Sequence, residues 1–306
     1  MCPACLTVAA LSAAKIAGAS GISAYGIKRW LAQASSRRAA QSRALEIKAL
    51  EIKENPMQQP RIVTTEEWLA ARTQLLEKEK EFTRRRDQLA AERRALPWVR
   101  VEKTYAFEGP SGQQTLSELF SGASQLVVYH FMLGPGWQEG CPGCSFLCDH
   151  LDGARVHLAA RDVALAVISR APYAEIAAFQ RRMGWGFHWV SSHGSDFNRD
   201  YHVSFTAQEV AAGSSYYNYG RGGFPNEEAP GISVFAKDEN AALFHTYSSY
   251  ARGGEPLIGA YQLLDMVPKG RNEEGLPWPM AWVRHHDKYG PDKYGPPGAS
   301  SCSTCS

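Results

Sequence analysis

Cysteine spacing is the feature of this sequence that most directly indicates chemistry. The 306-residue chain has seven cysteines, and six of them form three Cys-x-x-Cys pairs: Cys2/Cys5, Cys141/Cys144 and Cys302/Cys305. Seven cysteines are too few to stabilise a chain of this length as a disulfide scaffold. Pairs at this spacing either hold a metal ion such as Zn²⁺ or exchange disulfides, and the surrounding elements decide which.

The middle pair lies between a predicted strand and a predicted helix. Residues 125–132 form a near-continuous apolar run typical of a strand buried on both faces, and a Gly- and Pro-rich loop leads from it to Cys141. Helical spacing continues over residues 146–160. At a helix N-terminus, unpaired backbone N–H groups and the helix dipole stabilise a thiolate. A lowered thiol pKa makes a cysteine nucleophilic, so we predict that Cys141 attacks and that Cys144 resolves.

The same segment supports two other hypotheses. Cys141, Cys144, Cys148 and His150 together have the ligand chemistry of a Zn²⁺ site, and the alternative function is then a non-catalytic module that binds zinc or a soft metal or senses redox state. One short helix would present four ligands poorly, however, because Cys144 and Cys148 are about one helical turn apart. In the other hypothesis the cysteines are inert and buried. Cys148 is itself typical of a packed apolar side chain, and a second resolving thiol is its alternative role.

The two outer pairs lack this strand-and-helix context. Cys2/Cys5 and Cys302/Cys305 could together hold one Zn²⁺ ion if they meet in the fold. They could instead relay electrons to Cys141 by disulfide exchange. The third interpretation is that both pairs are reactive thiols without a set role.

The rest of the chain alternates between strand and helix patterns. Strands are predicted at 103–107, 162–169, 187–191, 231–237 and 242–248, a helical turn at 115–120, and helices at 172–183 and 261–267. Helices between strands favour parallel pairing, whereas the last two strands are close enough for an antiparallel hairpin. The sequence therefore predicts an α/β sandwich with a mixed sheet.

A long helix is predicted ahead of this domain. Thr64 and Glu67 have the spacing of a capping box, and Pro97 ends the helix. Its apolar side chains recur every seven residues at Trp68, Leu75, Phe82, Leu89 and Leu96. With one heptad position filled, the pattern favours a helix lying on the domain, or a short homodimer contact, over a long coiled coil.

Composition and charge exclude several classes of protein. Lys and Arg number 33 and Asp and Glu 31, so the chain lacks the basic excess of a dedicated nucleic-acid binder. Residues 6–27 are rich in Ala, Gly and Ser and include Lys15, so membrane contact there is possible but not favoured. No basic region precedes this stretch as it would in a secretory signal, and we expect a cytoplasmic protein.

Four regions follow from these patterns. We expect an Ala/Gly-rich and charged extension at 1–60, an amphipathic helix at 61–97, a domain at 98–286 and a flexible cysteine-containing tail at 287–306. Within the domain, a Tyr- and Gly-rich insertion near 207–230 contains the cluster at 216–219, which we expect to roof the cysteine pair.

From about residue 67 to 287 the sequence resembles a bacterial thioredoxin-like family. This family is catalogued as domain of unknown function number 899 and described as predicted dithiol–disulfide oxidoreductases. The stretches that carry the resemblance are 94–99 (RALPWV), 128–132 (VYHFM), 140–146 (GCPGCSF), 169–172 (SRAP), 183–185 (MGW), 195–198 (SDFN), 228–231 (EAPG) and 245–248 (HTYS).

The resemblance implies a fold and a class of activity. The expected fold is a thioredoxin-like three-layer α/β sandwich with a mixed central sheet, preceded by the N-terminal helical extension. The expected activity is thiol–disulfide exchange or a peroxiredoxin-like thiol reduction, with Cys141 and Cys144 as the redox pair. Its partners would be a disulfide protein or a small peroxide and an external dithiol reductant. This chemistry requires no metal, cofactor or prosthetic group.

Three residues are candidate contacts for the substrate. In thioredoxin-like folds a cis-proline begins the strand beside the redox pair, and Pro230 occupies the matching position here. Trp137 precedes Cys141 and could cover the thiol, although core packing would explain it equally. Arg170 follows a strand at its carboxyl end, where α/β sheets place their sites, and a surface salt bridge is its alternative role. Glu139 could exchange protons with Cys141 or remain a solvated carboxylate.

Overall fold

The computed structural model describes residues 60–290 of the chain. Several expectations lie outside these residues: the extension at 1–60 apart from its last residue, the weakly apolar stretch at 6–27, and the pairs Cys2/Cys5 and Cys302/Cys305. The chain divides into two compact units, Met1–Glu81 and Phe82–Ser306. All elements that form the candidate site belong to the second unit.

The described residues form seven α-helices, four short 3₁₀ helices and ten strands. The α-helices are α1 (Thr65–Arg94), α2 (Pro142–Leu151), α3 (Arg155–Ala159), α4 (Tyr173–Met183), α5 (Phe197–Asp200), α6 (Ala207–Ala211) and α7 (Gly259–Leu264). Short 3₁₀ helices occupy Glu118–Phe120, Asp152–Ala154, Ala251–Leu257 and His286–Lys288. The strands are β1 (Val99–Arg100), β2 (Ala106–Gly109), β3 (Gly112–Thr115), β4 (Gln125–His130), β5 (Val163–Ser169), β6 (His188–Ser191), β7 (Tyr216–Tyr217), β8 (Gly220–Arg221), β9 (Gly231–Lys237) and β10 (Leu243–Tyr250).

An eight-stranded sheet has the order β1-β10-β9-β4-β5-β6-β2-β3. At its centre, β4 pairs with β5 in parallel, β9 pairs with β4 antiparallel, and β10 forms an antiparallel hairpin with β9. Helix α2 follows β4, and α4 connects β5 to β6 as a parallel crossover requires. This mixed sheet and its helices form a thioredoxin-like fold, so the predicted fold class is confirmed.

Side-chain alternation along β4 produces two cores. Tyr129 faces the core that contains Cys144 and Cys148, whereas Leu126 and Val128 face a second core on the opposite side of the sheet. Successive side chains of a strand point to opposite faces, which explains why the apolar run of β4 is nearly continuous. The helix that carries the cysteine pair is therefore fixed to one face of the central strand by buried apolar contacts.

The N-terminus of α1 is the predicted capping box. The Thr64 N–H donates to the Glu67 carboxylate at 3.2 Å, and the Glu67 N–H donates to the Thr64 hydroxyl at 3.3 Å. No residue of α1 is buried, and its heptad stripe is exposed. The predicted packing of this helix on the domain, or against a second copy, stays a prediction. Within residues 60–290, no helix is both long and apolar enough to cross a membrane.

Some elements differ from the sequence expectation. The helix predicted at 146–160 begins earlier, at Pro142, and is interrupted at Asp152–Ala154. The insertion near 207–230 is more regular than expected, because it contains α6 and the β7–β8 hairpin. Thr206 and Glu209 form a complete capping box at α6, a signal present in the sequence. The peptide bonds of the described residues are all trans, including the one that precedes Pro230.

Candidate active site

The loop between β4 and α2, residues 131–141 (the cysteine loop), is packed too tightly for any residue but glycine at position 140. A Cβ there would overlap the Phe131 ring and approach the Phe179 ring to 2.8 Å. The next residue, Cys141, is the N-cap of α2, and its N–H donates to the Met132 carbonyl at 3.0 Å. Proline at the first helical position loses no hydrogen bond. The loop therefore holds Cys141 directly at the start of the helix.

The two thiols of the pair have opposite environments. A hydrogen bond from the Cys144 thiol, assisted by the backbone N–H groups of Cys144 and Gly143, lowers the pKa of Cys141 to about 7 against the effect of burial. Burial, and then the hydrogen bond to Cys141, raises the pKa of Cys144 well above its ordinary value. Cys144 is only 2% exposed, and its sulfur also accepts from the Met132 N–H at 3.5 Å. At neutral pH the arrangement therefore gives Cys141 a much larger thiolate fraction than an ordinary thiol has, next to a protonated Cys144.

The pH dependence of alkylation tests this assignment. Because a thiolate is the reacting species, we expect iodoacetamide to modify Cys141 with a half-maximal rate near pH 7. Replacing Cys144 by alanine removes the principal hydrogen bond to the thiolate and should move the midpoint upward, whereas serine, which can still donate, should move it less. The modified peptide is quantified by mass spectrometry. A wild-type midpoint near the ordinary thiol value of about 8.5 would contradict the assignment.

A cavity of about 300 Å³ opens beside the cysteine pair. Cys141 and Cys144 both line it, and apolar groups supply most of the remaining surface: Tyr129, Leu147, Pro230, Ile232, Ile258 and Met280. Arg252 and Glu255 also line this cavity and form an ion pair at 2.8 Å. The structure thus places the predicted contact residue Pro230 at the same cavity as the two thiols.

Tyr217 of the Tyr- and Gly-rich insertion is hydrogen-bonded to the backbone of Pro230. The Tyr217 hydroxyl donates to the Pro230 carbonyl at 2.7 Å and accepts from the Ala251 N–H at 2.9 Å. The Tyr219 hydroxyl donates to the Ser248 carbonyl at 2.8 Å. The insertion therefore supports the cavity wall at Pro230.

Residues 280–288 form a strap beside the cysteine loop. Met280 lines the cavity next to Gly143, and Trp282 packs edge-to-face on Phe146 of α2 with the ring centroids 5.5 Å apart. The His285 side chain is 3% exposed, and its Nε2 lies 2.8 Å from the Gly140 carbonyl. An imidazole N–H can donate to this carbonyl, so the strap contacts the backbone directly before Cys141.

A cluster of ion pairs connects the strap to the cysteine loop and to α4. The Glu139 carboxylate accepts from Lys288 and from Arg182, each at 2.6 Å, and Arg182 also pairs with Asp287 at 2.7 Å. Hydrogen bonding to Lys288, and then to Arg182, lowers the pKa of Glu139. Glu139 is thus tied to the strap by two cations at a position two residues before Cys141.

Trp137 and Arg170 lie outside the cavity that Cys141 and Cys144 line. Both line a second hollow of about 490 Å³ that Cys141 does not line. Arg170 pairs with the nearly fully buried Glu228 at 2.5 Å, and Ser204 donates to the same carboxylate at 2.6 Å. Burial raises the pKa of Glu228. The hydrogen bond from Ser204, and the charge and hydrogen bond of Arg170, offset part of that rise. Arg170 therefore has a structural ion pair of its own, outside the cavity of the thiols.

Cys148 and His150 do not join the cysteine pair. Cys148 is fully buried in the core, and burial raises its thiol pKa well above the ordinary value. His150 accepts instead from the Ala260 N–H at 3.3 Å. Among residues 60–290, no three His, Cys, Asp or Glu side chains are grouped so that they could hold a metal ion.

The strap is the part of the site that sequence reasoning missed. Residues 280–286 contain Met280, Trp282, Val283 and two histidines, and this density of apolar and aromatic groups could have indicated a packed segment. Its contacts with the cysteine loop, however, carry no local sequence pattern.

Comparison with known proteins identifies the family to which this chain belongs. The family described as "Bacterial protein of unknown function (DUF899)" matches residues 57–289. The chain belongs to this family. The match includes every residue of the cysteine loop, the insertion and the strap, so the candidate site of this DUF899 protein lies wholly within the family region. No curated protein matches the chain.

Solved structures similar to this DUF899 protein include several peroxiredoxins. PrxQ of Xylella fastidiosa is 12% identical, with 52% of this chain and 88% of that chain covered and a TM-score of 0.34. Peroxidoxin BcpB of Mycobacterium tuberculosis is 13% identical, with 55% and 97% covered and a TM-score of 0.36. Peroxiredoxin Q of Xanthomonas campestris is 13% identical, with 55% and 98% covered and a TM-score of 0.37.

Proposed function

We propose that this protein is a thiol–disulfide oxidoreductase in which Cys141 is the nucleophile and Cys144 the resolving thiol. The observation that carries the proposal is the pairing of a Cys141 thiol of lowered pKa, about 7, with a protonated, buried Cys144 at one helix N-terminus. The apolar cavity beside them gives a substrate sulfur access to Cys141.

The proposed reaction has two exchange steps. The Cys141 thiolate attacks one sulfur of a substrate disulfide, which forms a mixed disulfide and releases the other substrate sulfur as a thiolate. Cys144 then loses its proton and attacks the Cys141 sulfur, so that the substrate leaves fully reduced and an internal disulfide remains. With a peroxide as substrate, the Cys141 thiolate would attack one peroxide oxygen, and the O–O bond would break with release of water or an alcohol. Cys141 would then be a sulfenic acid, from which Cys144 would displace water to form the internal disulfide. An external dithiol restores both thiols.

The substrate contacts divide into two sets. Pro230, at the cavity of the thiols, would contact the groups next to the reacting sulfur. Trp137 and Arg170 would contact a larger protein substrate through the second hollow, outside that cavity. A small peroxide would need only the first set.

A redox titration of the full chain tests the proposal. The protein is equilibrated in graded thiol–disulfide buffers, quenched with acid, alkylated and mapped by peptide mass spectrometry. We expect a reversible two-electron step at Cys141 and Cys144 with a potential of roughly −120 to −270 mV. The Cys148→Ser variant should give the same potential, because Cys148 lies in the core away from the cavity. If Cys141 and Cys144 stay reduced across all buffers, the proposal is wrong.

A further inference from the structure

Cys144 becomes a thiolate twice in the proposed cycle, although its surroundings oppose a charge. The resolving attack requires the loss of its proton, and reduction of the internal disulfide releases it as the leaving group. Cys144 is buried, and burial raises its pKa well above the ordinary value. A buried charge is costly unless hydrogen bonds satisfy it. The two exchange steps therefore need groups that stabilise this second thiolate.

Tyr129 of β4 provides one such group. Its side chain lies on the face of β4 that packs in the core of Cys144, and it lines the cavity together with Cys141 and Cys144. Only 3% of Tyr129 is exposed, and its hydroxyl is hydrogen-bonded to the Cys144 sulfur. Because burial raises the pKa of the Tyr129 phenol well above its ordinary value, the hydroxyl keeps its proton and can act as the donor.

The backbone provides a second donor to the same sulfur. The Met132 N–H donates to the Cys144 sulfur at 3.5 Å. Met132 lies in the cysteine loop just after β4, so both donors come from one short stretch of chain. Both hydrogen bonds act against the rise in the Cys144 pKa that burial causes. Two fixed donors directed at a developing charge are the sulfur counterpart of an oxyanion hole.

Neighbouring tyrosines direct their hydroxyls elsewhere. Tyr250 also lines the cavity, but its hydroxyl donates to the Tyr201 carbonyl at 3.0 Å. The Tyr217 hydroxyl donates to the Pro230 carbonyl at 2.7 Å. Of the tyrosines within residues 60–290 that line the cavity, Tyr129 is thus the one whose hydroxyl meets a reacting sulfur.

We propose that Tyr129 is a catalytic residue whose hydroxyl, together with the Met132 N–H, stabilises the Cys144 thiolate in the resolving step and in re-reduction. This inference rests on the proposed function, since it concerns the steps in which the internal disulfide forms and breaks. It assigns a chemical role to a side chain that the first attack by Cys141 does not require.

Electrons and protons balance in both directions. In the resolving step Cys144 releases its proton to solvent, and its thiolate attacks the Cys141 sulfur. The bond from Cys141 to the substrate sulfur breaks, and the substrate thiolate takes up a proton. In re-reduction a thiolate of the external dithiol attacks Cys141, Cys144 leaves as a thiolate and is protonated, and the second thiolate of the reductant then releases Cys141. Tyr129 donates a hydrogen bond throughout and keeps its proton.

The experiment follows the two exchange steps separately in the full chain and in its Tyr129→Phe variant. Each reduced protein is mixed with excess oxidised glutathione, quenched with acid at set times and mapped by peptide mass spectrometry. The glutathione mixed disulfide at Cys141 should form at about the wild-type rate, because the principal hydrogen bond to Cys141 comes from Cys144. Its conversion to the 141/144 disulfide should slow by about 10- to 100-fold, less than the loss of an oxyanion-hole donor costs, because sulfur is a weaker acceptor than oxygen.

The pH profile of the conversion distinguishes a catalytic hydroxyl from a structural one. A donor to a thiolate lowers the thiol pKa, so the loss of this donor should move the half-maximal pH of the conversion upward. Tyr105→Phe is the matched control. The Tyr105 side chain is also buried, but it belongs to the core on the opposite face of the sheet, and its hydroxyl donates to Asp200 at 2.7 Å. This control should leave both steps and the pH profile unchanged.

The outcomes separate the role of Tyr129 from the function on which it rests. If all three proteins form the 141/144 disulfide at the same rate, the role of Tyr129 is wrong and the proposed function stands. Equal slowing of both steps, or a slower conversion with an unmoved pH profile, would show a structural effect and would also overturn the role. If the wild-type protein forms no 141/144 disulfide, the proposed function fails and the role of Tyr129 fails with it.

Discussion

Serine in place of Cys141 is expected to lower the turnover of a disulfide substrate by about a thousandfold or more. A serine hydroxyl is not ionised at neutral pH and is a poor nucleophile towards sulfur, whereas the pKa of the Cys141 thiol lies at about 7. The fold should survive, because oxygen is smaller than sulfur and Cys141 is only partly buried. Turnover is measured with a disulfide substrate and an external dithiol, and circular dichroism and thermal unfolding verify the fold.

Two further substitutions separate the roles of the cysteines. Cys144→Ser should retain the first attack and accumulate a mixed disulfide at Cys141, visible as a mass increase on the intact protein. Cys148→Ser should retain turnover, although this substitution in the core is expected to cost stability. Unchanged turnover in Cys141→Ser would remove that residue from the mechanism.

Removal of Arg170 is expected to cost about 2 to 4 kcal/mol in the free energy of unfolding at pH 7. Arg170 is the charged partner of Glu228, whose side chain is 2% exposed, and alanine would leave a buried carboxylate with only the Ser204 hydroxyl as a side-chain partner. Unfolding in urea, followed by tryptophan fluorescence, measures the change. The cysteine cavity is separate from Arg170, so the alkylation midpoint of Cys141 should not move.

The pH dependence of the stability lost in Arg170→Ala tests whether the ion pair with Glu228 causes it. Burial raises the pKa of the Glu228 carboxyl above its ordinary value, so the stability linked to this group is present at low pH and is lost as the pH rises through the folded pKa. Arg170 opposes the rise in the Glu228 pKa, so removing Arg170 increases the loss of stability at neutral pH. The Arg170→Ala variant should therefore be closest to wild type near pH 4.5. Adding Glu228→Gln should restore stability at pH 7; a deficit independent of pH and of Glu228 would contradict the ion-pair explanation.

The sequence predicted the cysteine pair because its signals are local. The apolar run of β4, the glycine loop and Pro142 lie within about 20 residues of one another, and each follows from side-chain periodicity or backbone conformation. The β9–β10 hairpin was equally predictable from the sequence, since only five residues connect its strands.

The surroundings of the pair depend on contacts between distant residues. Glu139 has no local partner in the sequence, and its cations come from α4 and from the strap. The support of Pro230 by Tyr217 likewise depends on how the insertion folds back on itself. A pattern within one segment predicts which face of it is buried but not which segment covers it, so these parts of the site required the structure.

The strap also determines when the site is completed during protein synthesis. His285 contacts the Gly140 carbonyl across 145 residues of sequence, and Lys288 contacts Glu139 across 149. A ribosome that adds about 5 to 20 residues per second needs roughly 7 to 30 seconds to make this intervening chain. During that interval Cys141 and Cys144 have been synthesised but Met280, Trp282 and His285 have not. The nascent chain therefore passes through a period in which its cysteine pair lacks the contacts of the strap. The strap side of the site can form only after residues 280–288 have been synthesised.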